Sequence, residues 1–568
     1  MNDRTLVDLG AQRFDKIRGR KSFYIDKTGF IKEWWEYGSD VTLITRPRRF
    51  GKTLNLSMTE CFFSNRYANR GDLFEGLSIW KEEKYRKMQG MYPVIFISFA
   101  NIKAAKYEDM AYAVTEVIAD LYEQNNFLLE GEVLSDNEIK YFNSIQPGIE
   151  DKVAVGSVNK LSNFLKRFYG REVIILLDEY DTPMQEAWLA GYWDRAAEFF
   201  RSFFNHTLKT NSNFLRGLIT GITRVAKESI FSDLNNLDVI TTTSEEYSAC
   251  FGFTEGEVFQ ALDDVGLGSE KQNVKSWYDG FSFGRRRDIY NPWSIMSFVK
   301  KGGQYHAYWA DTSSNGLVNS LIQKGIPDVK KDMEVLLQGK SIKTEINEQI
   351  IFSQLDGSAG ALFSLLLATG YLRVENLEYV GRLKKKVYTL ALTNMEVESM
   401  FENMVNGWFG GENSVCYNEF IHALLNDNVR KMNTFMNQVA LQTFSAFDSG
   451  SKPSKKTEPE RFYHGFVLGM VVTLRERYQV CSNRESGYGR YDVMMKPYDK
   501  KDKAFIFEFK VIDLDEDEKT LEDTLVKAHA QIEEKQYEAE LIAEGCLPEN
   551  IRKYGFAFQG KQCLIGSP

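Results

Sequence analysis

Two groups of residues in this chain have the types and spacing to handle phosphate and a divalent metal. The first is Thr45-Arg46-Pro47-Arg48-Arg49-Phe50-Gly51-Lys52-Thr53. The pattern GxxxxGK followed by Ser or Thr, set between a strand and a helix, cradles phosphate on backbone N–H groups. Gly51, Lys52 and Thr53 match it, and Arg46 stands where the first glycine belongs. Gly51 would let the backbone approach phosphate, Lys52 would contact the β- and γ-phosphates, and Thr53 would ligate Mg2+. Pro47 has no N–H and cannot join the cradle. Arg49 and Phe50 are counted with the nucleotide-contacting stretch. Arg46, Arg48 and Arg49 form a basic cluster that could touch phosphate, a neighbouring subunit or solvent.

The apolar run 173–177 (VIILL) leads straight into Asp178 and Glu179. Acids at the end of a buried strand suit this chemistry: Asp178 would hold Mg2+ through water, and Glu179 would polarise the attacking water. A further strand ends in Thr220-Gly221-Ile222-Thr223-Arg224. Thr223 could sense the γ-phosphate and Arg224 could stabilise transition-state charge; an ordinary strand end with a surface arginine reads equally well.

The second group is Asp492 with Glu508-Phe509-Lys510. Strand side chains alternate, so Glu508 and Lys510 share a face, and a hairpin would bring Asp492 beside them. Two carboxylates and a lysine suit metal-assisted phosphodiester cleavage, the carboxylates holding Mg2+ and Lys510 orienting a water or steadying the transition state.

These residues need elements to position them. Apolar runs at 41–45, 93–99, 173–177 and 214–222 alternate with helical stretches, which predicts a parallel sheet covered on both faces. Residues 251–394 read as mostly helical with aromatic loops, and helices continue to 448. Residues 448–459, rich in Gly, Ser, Lys and Pro, read as a linker. Strands are expected at 478–482, 491–495, 504–511 and 554–558, with a helix over 528–543.

The chain has 568 residues, 43% hydrophobic and 26% charged, with a formal net charge of -9. That balance excludes a surface coated in positive charge, so nucleic-acid contact must come from a local site. Six cysteines without a CxxC pair and five scattered histidines argue against zinc and against a disulfide framework. No leader-like or membrane-spanning apolar run is seen, so a cytoplasmic protein with no membrane partner is expected.

The stretches FYIDKT (23–28), TRPRRFGKT (45–53), LDEYDTP (177–183), WYDGF (277–281) and YNPWS (290–294) resemble the bacterial AAA-ATPase-like family. The resemblance runs from about residue 9 to 315, and it implies ATP as the nucleotide and accommodates Arg46 in the loop. Tyr24 and Asp26 are placed near the nucleotide. Trp277 and Trp293 read as packing in a helical lid. Residues 459–561, with Tyr463-His464, Gly489-Arg490-Tyr491-Asp492, Glu508-Phe509-Lys510, Gln531 and YGFAF (554–558), resemble the PD-(D/E)xK nuclease superfamily. This implies Asp492, Glu508 and Lys510 as the catalytic set, Glu460 as a further metal-site acid and Gln531 as a helper; for His464, packing is as good a reading.

The fold class expected is α/β in three parts: a P-loop NTPase parallel-sheet domain at 1–250, a helical, lid-like middle region at 251–450, and an α/β PD-(D/E)xK restriction-endonuclease-like domain at 451–568. The function expected is an ATP-binding, ATP-hydrolysing protein coupled to a Mg2+-dependent nuclease-like domain. Nucleic acid, DNA before RNA, is the partner, and a homo-oligomer follows if Arg224 acts across subunits. The alternatives are an ATP-dependent switch or scaffold with an inactive nuclease-like domain, and a regulatory nucleotide-binding protein without a nucleic-acid partner.

Overall fold

The computed structural model describes residues 7–223, 230–231, 234–309, 318, 321, 327–337, 339–347, 359–408, 414–443, 474, 477–486, 489–512, 518–559 and 562–568. The chain divides into two compact units, residues 1–321 with 341–398, and residues 322–340 with 399–568.

In the first unit, five short apolar runs form strands β1 (Val41–Thr45), β2 (Val94–Ser98), β3 (Val173–Asp178), β4 (Phe214–Gly221) and β5 (Leu237–Ile240). They pair in the order β2-β3-β4-β1-β5, every pairing parallel. All residues of β1 and β3 are buried, as in a sheet covered on both faces. The register sets Thr45 beside Gly221 and Ser98 beside Asp178, so the carboxyl ends lie level. Because β4 runs between β1 and β3, its end delivers Thr220 and Thr223 between the phosphate loop and the acid pair. Ligands of open parallel sheets bind outside these carboxyl ends. Helix α1 (Lys52–Phe63) starts directly after Gly51.

The region expected to be mostly helical contains two antiparallel sheets. One is β6 (Phe253–Thr254), β7 (Phe281–Phe283) and β8 (Arg286–Tyr290), in the order β6-β8-β7. The other is β9 (Ile342–Glu345), β10 (Leu372–Val380) and β11 (Lys385–Leu392), in the order β10-β11-β9. The first escapes a pattern reading because its strands are two to five residues long. The second has a charged outer half that breaks the alternation. Between the two sheets in sequence, helix α2 (Pro292–Lys300) is capped by the Asn291 side chain, which accepts from the N–H groups of Trp293 and Ser294.

The second unit holds β12 (Tyr478–Ser486), β13 (Gly489–Pro497), β14 (Ala504–Val511), β15 (Ile551–Gln559) and β16 (Gln562–Gly566), paired in chain order. Only β14 and β15 are parallel, joined through helix α3 (Leu521–Lys535). One face of this sheet packs Phe505, Phe507, Phe509 and Phe556 against Phe420, Leu424, Met432 and Met436. Those last four lie on helices Ser414–Leu425 and Val429–Thr443. Both helices therefore belong to the second unit, where the sequence reading set its boundary at 450; their apolar faces match the phenylalanine stripe. Ile532, Tyr537 and Leu541 cover the opposite face over Met494 and Ile506. No described helix is long and apolar enough to cross a membrane.

Candidate active sites

The phosphate loop takes its shape from two left-handed residues, Arg49 (φ 63°) and Gly51 (φ 79°). At Gly51 a Cβ would meet nothing within 4 Å, so conformation rather than space calls for glycine there. Arg46 is in neither the positive-φ set nor the solvent. Its N–H continues the sheet to the Gly221 carbonyl. Its guanidinium is buried, donating to the carbonyls of Thr45, Thr241 and Glu246 and lying 4.4 Å from the Phe283 ring centroid. Burial pulls it down to about 10. The three contacts considered for Arg46, with phosphate, subunit or solvent, are thus replaced by a fourth: it anchors the loop from beneath.

Lys52 is buried and bends back to donate to the carbonyls of Arg46 (3.0 Å) and Pro47 (2.8 Å). Burial holds its pKa below the ordinary lysine value, although Glu179, Asp181 and Asp178 pull the other way. Asp178 accepts from Thr53 Oγ1 (2.8 Å) and Thr220 Oγ1 (2.7 Å). Burial raises its pKa. Glu179 sits in the left-handed region (φ 51°), a strained position of the kind that gathers at functional sites; its carboxylate accepts from Thr182. Thr223 is buried, and its N–H and hydroxyl both donate to Asp181 Oδ2 at 2.8 Å, joined by the Ile222 N–H at 3.0 Å. Asp181 Oδ1 is buried without a hydrogen-bond partner, and burial raises the carboxyl's pKa. Gly221 is needed here because a Cβ would lie 2.6 Å from the Tyr180 ring. Arg224 lies outside the described residues.

The aromatic motifs press on this loop. The Arg49 guanidinium stacks 3.7 Å from the Trp293 ring centroid. The Arg48 carbonyl accepts from Trp309 Nε1 (3.1 Å) and Asn291 Nδ2 (3.4 Å). The Phe50 ring is buried against Phe281 and Phe283, and its carbonyl accepts from the Gly252 N–H at 3.4 Å. Trp277 packs on Tyr278 and Tyr305. Asp26 accepts from the N–H and hydroxyl of Thr28 and the N–H of Ser78, and Tyr24 packs on Phe14 and Met58.

In the second unit, β13 and β14 bring Asp492 against the Glu508 strand: Asp492 Oδ2 accepts from the Phe509 N–H at 2.8 Å. Burial pushes the Asp492 carboxyl up to about 6. Glu508 is buried; its Oε1 accepts from Gln531 Nε2 and lies 3.5 Å from Lys510 Nζ. Gln531, on α3, also donates to the Tyr537 hydroxyl at 3.0 Å. Asp492, Glu508, Lys510 and Gln531 thus meet in one corner. Glu460 and His464 lie outside the described residues, as does the linker at 448–459.

Sequence reasoning missed Thr220, Asp181 and Tyr537 as site residues. The spacing of Asp181 in LDEYD was a usable signal; Tyr537 stands in sequence close behind Gln531, but its role was not assigned, since the left-handed Gln536 (φ 52°) is what turns the chain back after α3. It also missed Glu255, Asp279 and Asp288, which gather around Lys275. Burial and the neighbouring Asp288 raise Asp279 to about 7. With an ammonium in its centre this cluster is an internal ion-pair group.

Both donor sets fit a hard divalent cation, which takes carboxylate and hydroxyl oxygens: Thr53 and Asp178 in the first site, Asp492 and Glu508 in the second.

Known proteins and protein families match parts of this chain. A protein named "Uncharacterized protein in vnfD 5'region" from Azotobacter chroococcum mcd 1 is 27% identical over 409 residues, covering 70% of this chain and 69% of its own. The solved structure titled "Structure of the Aeropyrum Pernix ORC2 protein (ADPNP-ADP complexes)" superposes at a TM-score of 0.23 with 10% identity, over 66% of this chain and 92% of that one. Residues 8–231 match the family described as Predicted AAA-ATPase, and residues 458–567 match the PD-(D/E)XK nuclease superfamily. The chain thus carries a domain of the predicted AAA-ATPase family followed by a domain of the PD-(D/E)XK nuclease superfamily.

Proposed function

We propose that this protein binds and hydrolyses ATP in its first unit and uses that cycle to govern Mg2+-dependent phosphodiester cleavage of nucleic acid, DNA first, in its second. The observation that carries the reading is the meeting of Asp492, Glu508, Lys510 and Gln531 in one corner of the C-terminal sheet. Asp492 and Glu508 would hold the metal there, and Thr53 and Asp178 the metal that accompanies the nucleotide. When bound, a divalent cation lowers the pKa of a coordinated water and offsets charge on the phosphate. Lys510, 28% exposed, orients the attacking water from the open side. Gln531 fixes the Glu508 carboxylate. In the first unit Lys52 leaves the loop carbonyls for the β- and γ-phosphates, Glu179 polarises water, and Thr223 reads the γ-phosphate only by moving its hydroxyl off Asp181. Arg224 is assigned transition-state charge, supplied in a homo-oligomer if it acts across subunits. A cytoplasmic setting and a three-part division into ATPase, middle and nuclease-like parts remain part of this proposal, with the last boundary moved ahead of the helices at 414–443 that pack on the C-terminal sheet and Glu460 as the third metal-site acid.

A second reading has its own support. Each carboxylate of the corner already accepts hydrogen bonds from the chain, Asp492 from Phe509 N–H and Glu508 from Gln531, which suits a switch whose nuclease-like unit binds without cutting. Cleavage of plasmid, single-stranded DNA and RNA with Mg2+ or Mn2+, with and without ATP, separates the two. Cutting lost in Asp492→Ala and Glu508→Ala, and altered in Lys52→Ala, supports the first reading. No cutting by the wild type, with Lys52-dependent ATP binding intact, supports the second.

A further inference from the structure

The β10–β11 hairpin carries charge at odds with the rest of the chain. The whole protein has a formal net charge of -9, yet Arg382, Lys384, Lys385 and Lys386 fall within five residues. Past the last pairing of β11 with β9, at Val387 and Glu345, β10 and β11 run on as a two-stranded ribbon. Residues 381–386 are all exposed. The tip also carries bare apolar side chains: Leu383 is 82% exposed, Tyr379 61% and Val380 49%. The register sets Tyr379 opposite Lys386 and Val380 opposite Lys385, so each face of the ribbon joins an apolar group to a cation. The carboxylates nearby do little to cancel this charge. Glu378 is taken by Lys343, and the Lys385–Glu345 pair is more than half exposed on both sides, where such pairs are weak.

A second basic turn touches the same strand. Arg287 donates to the Val374 carbonyl of β10, which sets the β7–β8 turn, with exposed Arg285 and Arg286, at the base of the hairpin. From Val374 to Val380 an extended strand covers about 20 Å. That is the length of about six base steps of duplex at 3.4 Å each. A two-stranded β-ribbon fits the major groove of a duplex, and a leucine can wedge between base steps.

We infer that the β10–β11 hairpin is a docking element for duplex nucleic acid, its cations meeting phosphates and its apolar tip entering a groove. The inference rests on the proposed nucleic-acid reading and adds where on the first unit the duplex is gripped. Three phosphate contacts would contribute about 3 to the slope of log affinity against log salt. Leu383 and Tyr379 would add a part that salt does not touch.

The test is anisotropy of a labelled 25-base-pair duplex titrated with the full chain in chelator, over a range of salt. Wild type is compared with Arg382→Gln/Lys384→Gln/Lys386→Gln and with Leu383→Ser. ATP binding of each variant reports that the fold is intact. The inference expects the triple variant to lose on the order of 30-fold at low salt and about 3 of the slope. Leu383→Ser should lose a few-fold with the slope unchanged. Equal binding by wild type and triple variant overturns the inference and leaves the nucleic-acid reading standing. No duplex binding by wild type overturns both. Tighter binding to single strands than to duplex, or equal capture by phosphatidylserine vesicles through the same residues, also overturns it.

Discussion

The phosphate-loop site and the carboxylate corner each set a lysine near buried carboxylates, and they treat it in opposite ways. Lys52 is 5% exposed and donates to the neutral carbonyls of Arg46 and Pro47. Asp178 beside it is held by two neutral hydroxyls. In the corner, Lys510 lies against Glu508 itself, and the same oxygen accepts from Gln531. The first site thus stabilises each charge with dipoles and keeps a full charge for an incoming anion, at the desolvation cost that lowers the Lys52 pKa. The second lets opposite charges offset one another, so an incoming cation competes with an ammonium. Under the proposed function, the first arrangement suits an incoming phosphate and the second an incoming metal.

The largest effect that could break this contrast is in the corner. Glu508→Gln removes the charge that both Lys510 and a metal need, and cleavage should fall by about 10^3-fold, roughly 4 kcal/mol of barrier. Rates measured under single turnover check this. If Glu508→Gln cuts as well as wild type, the corner is not a metal site and the contrast disappears.

Lys52→Met comes next. It replaces a buried ammonium with a chain of similar length, so the fold should hold while ATP affinity falls by about 30–100-fold, the loss of charge-assisted hydrogen bonds of about 2–3 kcal/mol. Calorimetric titration measures it. Thermal stability without nucleotide should not fall, because the buried charge is costly on its own; a marked fall would show that Lys52 serves the loop's structure first.

Asp181 has no counterpart in the corner. Its Oδ2 gathers three donors from the end of β4. Asp181→Ala leaves those donors buried without an acceptor and should cost about 3 kcal/mol in urea denaturation. A loss under about 1 kcal/mol would mean that the β4 end does not depend on this clamp.

The two sites also differ in how far sequence reveals them. Gly51-Lys52-Thr53, Asp178-Glu179 and Thr223 sit in runs whose neighbours fix their setting, since each follows a buried strand and the parallel register levels the strand ends. Glu508 and Lys510 were legible through alternation on a single strand. Gln531 was reached through family resemblance alone, because no local pattern links a helix residue to a strand 20 residues earlier. Tyr537 was seen only as a sequence neighbour of Gln531 and given no role, since its place depends on the left-handed turn at Gln536. Among the elements, β5 escaped because a four-residue run is too short to stand out. Arg46 was read as free to touch phosphate, a neighbouring subunit or solvent because burial of a guanidinium under aromatic rings leaves no mark in its own position.

Tyr537→Phe gives the smallest effect and the finest test of the contrast. The Gln531 amide has two N–H donors; one goes to Glu508 and one to the Tyr537 hydroxyl. Taking away the hydroxyl leaves a half-buried donor unmet and should cost about 1 kcal/mol of stability. The consequence for cleavage is specific: an amide freed at one end can rotate away from Glu508, so turnover should drop by about 5-fold with substrate affinity unchanged. In the first site the matching change is Thr220→Val, which removes one of the two hydroxyls on Asp178 while Thr53 still holds the other oxygen. It should cost about 1 kcal/mol as well. Its effect on ATP turnover should be smaller than 5-fold, because Asp178 stays anchored. If the two substitutions slow their respective reactions equally, the neutral anchors of Glu508 and Asp178 are equivalent, and the distinction between the sites rests on Lys510 alone.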